Sequence, residues 1–260
     1  MKRILGIFLV LTGISFLQAC LESTTEATIN KNGSGTVVTY VDMAKMYEIA
    51  KQMGKDPAED KDADKVIDSI IYFKDNLKDI EKKKGKPLTA DEKEVYENTK
   101  MHMKMDMKKS IMNFTITSKF SKISQLPITT DMMKEAFNQS PMAKNDEAQP
   151  GADKEIDKVM DNENDGMSFN VKDGVIEYIY DEKKHTKSEE EEKMLQSFDM
   201  IKGMLGDMPV KVVYNLPRAS KSVTGKAKTE VSADKKKVTI SYDLLETMKD
   251  PSIQSYRIEY

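Results

Sequence analysis

Polar and apolar residues alternate with a period of two over much of this chain, and that alternation sets the fold class. Ala27 to Asn30 and Thr36 to Val41 are β-rich and flank Asn30-Lys31-Asn32-Gly33-Ser34-Gly35, whose Asn-Gly pair suits the positive φ of a tight hairpin turn. The glycines lack the spacing and the Lys-Ser/Thr ending of a phosphate-cradling loop. Met101 to Met107 alternates strictly, and after Lys108-Lys109-Ser110 the alternation resumes at Met112, Phe114, Ile116 and Phe120 with the opposite parity. A change of parity requires a turn or bulge, so Met101–Met107 and Ile111–Phe120 are read as paired strands. Met167–Val171 and Val175–Tyr180 make a further hairpin around Lys172-Asp173-Gly174. Val210–Leu216, Thr229–Ser232, Val238–Tyr242 and Ser255–Tyr260 complete the strand set.

Helical spacing interrupts these strands. Asp42 can cap a helix with Met43, Met46, Ala50 and Met53 on one stripe and Gly54 as its stop. Val66, Ile70, Phe73, Leu77 and Ile80 recur at four and three residues and predict a helix. The β-branched crowding of Val66, Ile67, Ile70 and Ile71 leaves open a strand over Ser69–Phe73 followed by a shorter helix. Thr89-Ala90-Asp91-Glu92 and Ser188-Glu189-Glu190-Glu191 are capping boxes that open two more helices, the second with Met194, Phe198, Ile201 and Leu205 buried. Asp131–Phe137 is a short amphipathic helix. Lys55–Lys65 is a charged connector, and the polar stretch near 138–165, with Pro141, Pro150 and Gly151, is a flexible loop. Short strands separated by helices, with hairpins dominant, predict an α+β fold: a mainly antiparallel sheet built from hairpins, with amphipathic helices packed on one face. The other face meets solvent or a partner.

The first twenty residues bear on location. Met1-Lys2-Arg3 is a short positive start and Ile4–Leu17 is an apolar run of about 14 residues, short of the roughly 20 that a membrane-crossing helix needs. Leu17-Gln18-Ala19-Cys20 follows at once and resembles the bacterial lipobox, in which cleavage falls before a lipidated Cys. Cys20 is the single cysteine of 260 residues, so it cannot form an intramolecular disulfide. The division expected is 1–19 lipoprotein signal peptide, 20–27 lipidated tether, and 28–260 envelope domain. An ordinary signal peptide cut at Ala19 is the other reading.

Composition narrows the function class. Removing residues 1–19 takes away two basic groups (Lys2, Arg3) and no acidic ones, moving the net charge from −3 to about −5. Interspersed signs with mild acidity argue against nucleic acid as a partner, which needs a basic face. There is no Trp, and 19 Met residues supply flexible apolar packing. Met101, Met103, Met105 and Met107 on one strand face are candidate copper(I) ligands, because thioethers are soft donors. His102 points to the opposite face, and a Met-lined core strand is the competing reading. Asp161-Asn162-Glu163-Asn164-Asp165-Gly166 opens like a calcium loop, but Lys172 stands where the twelfth, bidentate carboxylate belongs. His102 and His185 sit in no nucleophile motif, and neither Gly-x-Ser-x-Gly nor His-Glu-x-x-His occurs. No catalytic residue and no cofactor are therefore assigned.

The lipobox, the Asn-Lys-Asn-Gly-Ser-Gly hairpin, the helix opening at Asp42-Met43 and the Met-rich hairpin together resemble uncharacterised cell-envelope lipoproteins of flavobacteria and their relatives. The resemblance implies membrane attachment through lipidated Cys20 and carries no active-site motif. Leu21 stands at the position where Asp would resemble an inner-membrane retention signal, so an outer-membrane location facing the periplasm is expected, with the cell surface as the alternative. Within that phylum Asp68-Ser69-Ile70 also matches an O-glycan acceptor pattern; a polar helix position is the other reading of Ser69. The function expected is a non-enzymatic binding or structural module for an envelope protein, glycan or lipid ligand. A carboxylate-using envelope hydrolase and a Met-rich copper-binding protein are the alternatives.

Overall fold

The computed structural model describes residues 22–44, 66–130, 132, 166–185, 202–203 and 206–260. The first hairpin joins β1 (Glu22–Ile29) to β2 (Gly35–Asp42), with Glu22 opposite Asp42 and Ile29 opposite Gly35. Gly33 takes φ +82° in the turn, as the Asn-Gly pair requires. Gly35 is needed for a different reason: a Cβ there would lie 2.2 Å from the Thr28 carbonyl oxygen and 2.3 Å from the Phe120 ring. The polar stretch read as a tether up to Ala27 is strand from Glu22 onward, because all of it pairs in register with β2 and from Ser23 it pairs with β8 as well.

The Asp42 side chain accepts the Ala44 N–H at 2.9 Å, the contact of a helix cap. The rest of that helix, the 55–65 connector, most of the Asp131–Phe137 helix, the 138–165 loop and the Ser188 capping box lie outside the described residues. β3 (Val66–Tyr72) replaces the expected Val66–Ile80 helix; a 3₁₀ turn at Phe73–Asn76 and α1 (Leu77–Lys84) follow. The β-branched run decides this, since Val66, Ile67, Ile70 and Ile71 suit a pleated strand better than a helix. α2 (Ala90–Glu97) opens on the expected Thr89–Glu92 capping box. β4 (Thr99–Asp106) and β5 (Ile111–Phe120) pair as expected, joined by a 3₁₀ turn at Met107–Lys109 with Ser110 at φ 50°.

α3 (Leu126–Thr130) precedes the hairpin of β6 (Met167–Lys172) and β7 (Val175–Tyr180). β8 (Pro209–Asn215), β9 (Ser222–Gly225), β10 (Lys228–Val231), β11 (Lys237–Asp243), α4 (Leu244–Lys249) and β12 (Tyr256–Glu259) complete the chain. An eight-stranded sheet has the order β10-β11-β8-β1-β2-β5-β4-β3, and a four-stranded sheet the order β6-β7-β12-β9. The fold is α+β, and among the described strands pairing is antiparallel except that β1 and β8 run parallel.

Alternation explains the layering. Ala27, Ile29, Val37, Met101, Ile116, Phe120, Tyr214, Val238 and Ile240 all point from the large sheet into one core. Ile176, Tyr256 and Ile258 meet them from the small sheet, and Ile80, Val95, Tyr96 and Leu126 from the helices. Burying a side chain of this size contributes about 1.5–3 kcal/mol, so the shared core joins both sheets and the helices. Where the sheets meet, Tyr214 and Tyr256 lie with ring centroids 5.9 Å apart and share a buried hydroxyl–hydroxyl hydrogen bond of 2.6 Å. Burial pushes Tyr214, Tyr242 and Tyr256 well above the ordinary phenol value.

Candidate functional site

The face of the large sheet turned away from the core is open and chemically varied. Register sets its composition. Across β2, β5, β4 and β3, one row reads Val38, Thr117, Lys100, Tyr72; the next Tyr40, Thr115, His102, Ile70; the next Asp42, Asn113, Lys104, Asp68. Ile70 is 49 % exposed, Tyr72 45 % and Val38 37 %, which is unusual for large apolar groups so close together.

The polar centre of this face is Asp68. His102 Nε2 donates to its Oδ1 at 2.5 Å, and Lys104 Nζ stands 3.9 Å from its Oδ2. The His102 hydrogen bond, with help from the nearby Lys104 ammonium, holds the Asp68 carboxyl below its usual range. Lys74 covers the Tyr72 ring at 5.3 Å, adding a cation to the aromatic end of the face. Asp68 therefore orients the His102 ring in the way a general base is oriented. Among the described residues, however, no hydroxyl or thiol hydrogen-bonds to the other ring nitrogen, so no nucleophile–base pair is formed here. His185, the second histidine, packs its ring against Tyr180 with centroids 5.6 Å apart, far along the chain on the β7 hairpin.

The candidate copper ligands do not share one environment. Met101 and Met103 are 1 % and 4 % exposed on the core face of β4, where they oppose Ile116 and Phe114. Met105 is half-buried opposite Met112, and Met107 has left the strand for the 3₁₀ turn. Among the described residues no group of three or more His, Cys, Asp or Glu side chains is arranged to hold a metal ion. Ser69 lies on the core face of β3, half-buried opposite Met103, so the hydroxyl of the Asp68-Ser69-Ile70 triplet points away from the open surface. Cys20 and the calcium-like segment from Asp161 to Asp165 lie outside the described residues.

Several of the described carboxylates are held in their charged form. Glu92 illustrates how: burial opposes its ionisation, but the Lys84 ammonium and the Thr89 N–H and hydroxyl outweigh that and lower it to about 2. Glu177 and Glu259 both pair with the Arg257 guanidinium. Every described carboxylate that is displaced from its ordinary value, Asp68, Asp91, Glu94, Asp106, Asp234, Asp250 and Glu259 among them, is displaced downward. A glycosidase-type pair needs one carboxyl raised to serve as the acid.

Sequence reasoning missed one polar hub. Gln125 is fully buried; its Oε1 accepts the Ser121 N–H at 2.9 Å, and its Nε2 donates to Glu94 at 2.7 Å and Asp91 at 3.3 Å. It ties α2 to the turn after β5. A single Gln among polar neighbours carries no periodic signal that would reveal this. Among the described residues no helix is long and apolar enough to cross a membrane. No family model, curated protein or solved structure matches the chain.

Proposed function

We propose that the chain is a lipoprotein of the cell envelope, anchored by acyl chains on Cys20, whose folded body acts as a non-enzymatic binding or structural module. The observation that carries this reading is Leu17-Gln18-Ala19-Cys20 directly after a charged and apolar leader, in a chain with no other cysteine. Acyl chains contribute about 0.8 kcal/mol per buried methylene, so two or three of them hold a soluble body at a bilayer for long periods. The similarity to flavobacterial envelope lipoproteins and the absence of Asp at position 21 favour the outer membrane, facing the periplasm.

The open face around Ile70, Tyr72 and His102 supports the binding half of the proposal. Its apolar groups stand beside Lys100, His102 and Lys104, a combination suited to an envelope protein, glycan or lipid ligand that offers both apolar and anionic groups. Mass spectrometry of the mature N terminus tests the anchor: the expected species begins at an acylated Cys20, and Cys20→Ser moves the protein to the aqueous fraction. An intact leader, or an unmodified thiol on soluble wild-type protein, overturns the reading. Cross-linking in the native envelope, comparing wild type with Ile70→Lys, tests the face. A partner captured equally by both would exclude it.

A further inference from the structure

The distance between the lipobox cysteine and the first strand is short enough to determine which end of the sheet meets lipid. Consecutive Cα atoms are 3.8 Å apart, so with Leu21 alone between them Cys20 lies within about 7.6 Å of the Glu22 Cα. The headgroup layer on each side of a bilayer is about 5–7 Å deep. A lipidated Cys20 sits at the inner edge of that layer, so the leash cannot carry the start of β1 clear of it. β1 is also interior to the sheet, with β8 and β11 on one side and β2 and β5 on the other.

Register identifies what accompanies it. Glu22 is level with Asp42 and, across the next pair, with Asn113; Ile111 projects two residues farther toward the same end. On the other side Asp243 opposes Pro209, one residue before the Val210 that pairs with Ser23, and Leu244 follows, its N–H donating to the Met208 carbonyl at 2.8 Å. Ile111 and Leu244 thus flank β1 two strands away on either side, about 10 Å each at ordinary strand spacing. They are 37 % and 38 % exposed. Strand twist of about 20–25° per step keeps both aimed broadly as β1 is aimed, whereas Val66, four strands away, is rotated by nearly a right angle. Lys108 and Lys109 are exposed in the turn before Ile111. Three of the described carboxylates at this end are engaged, Asp42 with the Ala44 N–H, Asp106 with Lys109, and Asp243 with the Met208 and Glu246 N–H groups, while Asp207 is exposed.

We propose that this end of the eight-stranded sheet, bearing Ile111, Leu244, Lys108 and Lys109, rests in the phospholipid headgroup layer, held there by the short leash. The proposal depends on acylation of Cys20. It leaves the Asn30–Ser34 turn, beyond the seven residue steps of β1 and so more than about 20 Å away, facing the aqueous space.

Single cysteines are introduced at Ile111, Leu244, Lys31 or Ala233 of the full-length lipoprotein, whose own Cys20 is blocked by its lipid. Each is labelled with an environment-sensitive fluorophore after reconstitution into phosphatidylethanolamine–phosphatidylglycerol vesicles that contain a headgroup-level spin-labelled quencher. Quenching is expected to be several-fold stronger at 111 and 244 than at 31 and 233. Inserting a flexible Gly-Ser segment of about 15 residues between Leu21 and Glu22, which spans about 20 Å on average, is expected to bring all four to the same low level. Equal quenching at the four positions of the unmodified protein, or unchanged quenching after the insertion, overturns the proposal while leaving the anchor intact. Protein that fails to float with vesicles overturns the anchor itself and this inference with it.

Discussion

Glu92 offers a direct test of how local electrostatics hold the helical layer onto the sheet. Its Oε2 accepts the Thr89 N–H at 2.8 Å and the Thr89 hydroxyl at 2.9 Å, and its Oε1 accepts the Lys84 ammonium at 2.9 Å. This one carboxylate closes the capping box of α2 and bolts it to the last turn of α1. Lowering an acid from 4.5 to about 2 corresponds, at 1.36 kcal/mol per pH unit, to about 3 kcal/mol if screening is ignored. The Glu92 and Lys84 side chains are 17 % and 25 % exposed, so solvent screening reduces this to about 1–2 kcal/mol. The pKa is depressed on folding, so the contribution is complete above about 4.5 and disappears as the pH falls toward about 2. Glu92→Gln keeps an acceptor for the Thr89 N–H and removes the charge together with the oxygen that accepts from Lys84. Urea unfolding in the Cys20→Ser background, followed by circular dichroism, should show Glu92→Gln about 1–2 kcal/mol less stable than its parent near neutrality. The gap should close in acid. A gap that is absent near neutrality, or that keeps its size down to the lowest pH at which both proteins fold, would refute the assignment of this stabilisation to the ionised carboxylate.

Other perturbations follow from packing and burial. Gly35→Ala drives a methyl into the Thr28 carbonyl and the Phe120 ring, and should cost at least about 1–3 kcal/mol in chemical denaturation; a neutral result would mean that the β1–β2 turn relaxes freely. Gln125→Leu strands the Ser121 N–H and brings Asp91 and Glu94 together without their shared donor. An expected loss of about 1–3 kcal/mol is checked by the same assay. The buried Tyr214 and Tyr256 and the partly buried Tyr242 bind their protons more tightly folded than unfolded, so their contribution holds below the ordinary value of 10.0 and is lost as pH rises above it. Phenolate absorbance in an alkaline titration should therefore appear partly in step with unfolding by circular dichroism; full ionisation in a still-folded protein would contradict the burial. Changing Met101, Met103, Met105 and Met107 together to Leu should cost less than about 1.5 kcal/mol per buried site and leave copper binding as it is in the parent, measured by titration.

Strand alternation was the most readable part of the sequence. It located β5, β6, β7 and the β10–β11 hairpin because each has a period of two bounded by a turn, and the Thr89–Glu92 capping box is found as expected. Val66–Ile80 was misleading for a physical reason: its apolar residues satisfy a four-three spacing, yet β-branching and pairing with β4 favour the strand. β9 and α4 escaped because four and six residues are too few to display a period. The open face around Ile70 could be inferred only in outline. His102 and Asp68 lie 34 residues apart, and the register that brings them together belongs to the β3–β4 pairing rather than to either segment alone.

The parallel pairing of β1 with β8 has a consequence for the order in which the protein is made. β1 is the strand whose other edge must stay vacant until residues from Pro209 onward have been synthesised and delivered. Its side chains wait as well, for Asn215 donates to Glu26 at 2.6 Å across 189 positions. A partner so remote makes closure slow and nearly all-or-none, so a polypeptide halted before β8 presents an open β edge to its neighbours instead of a half-finished but stable subdomain.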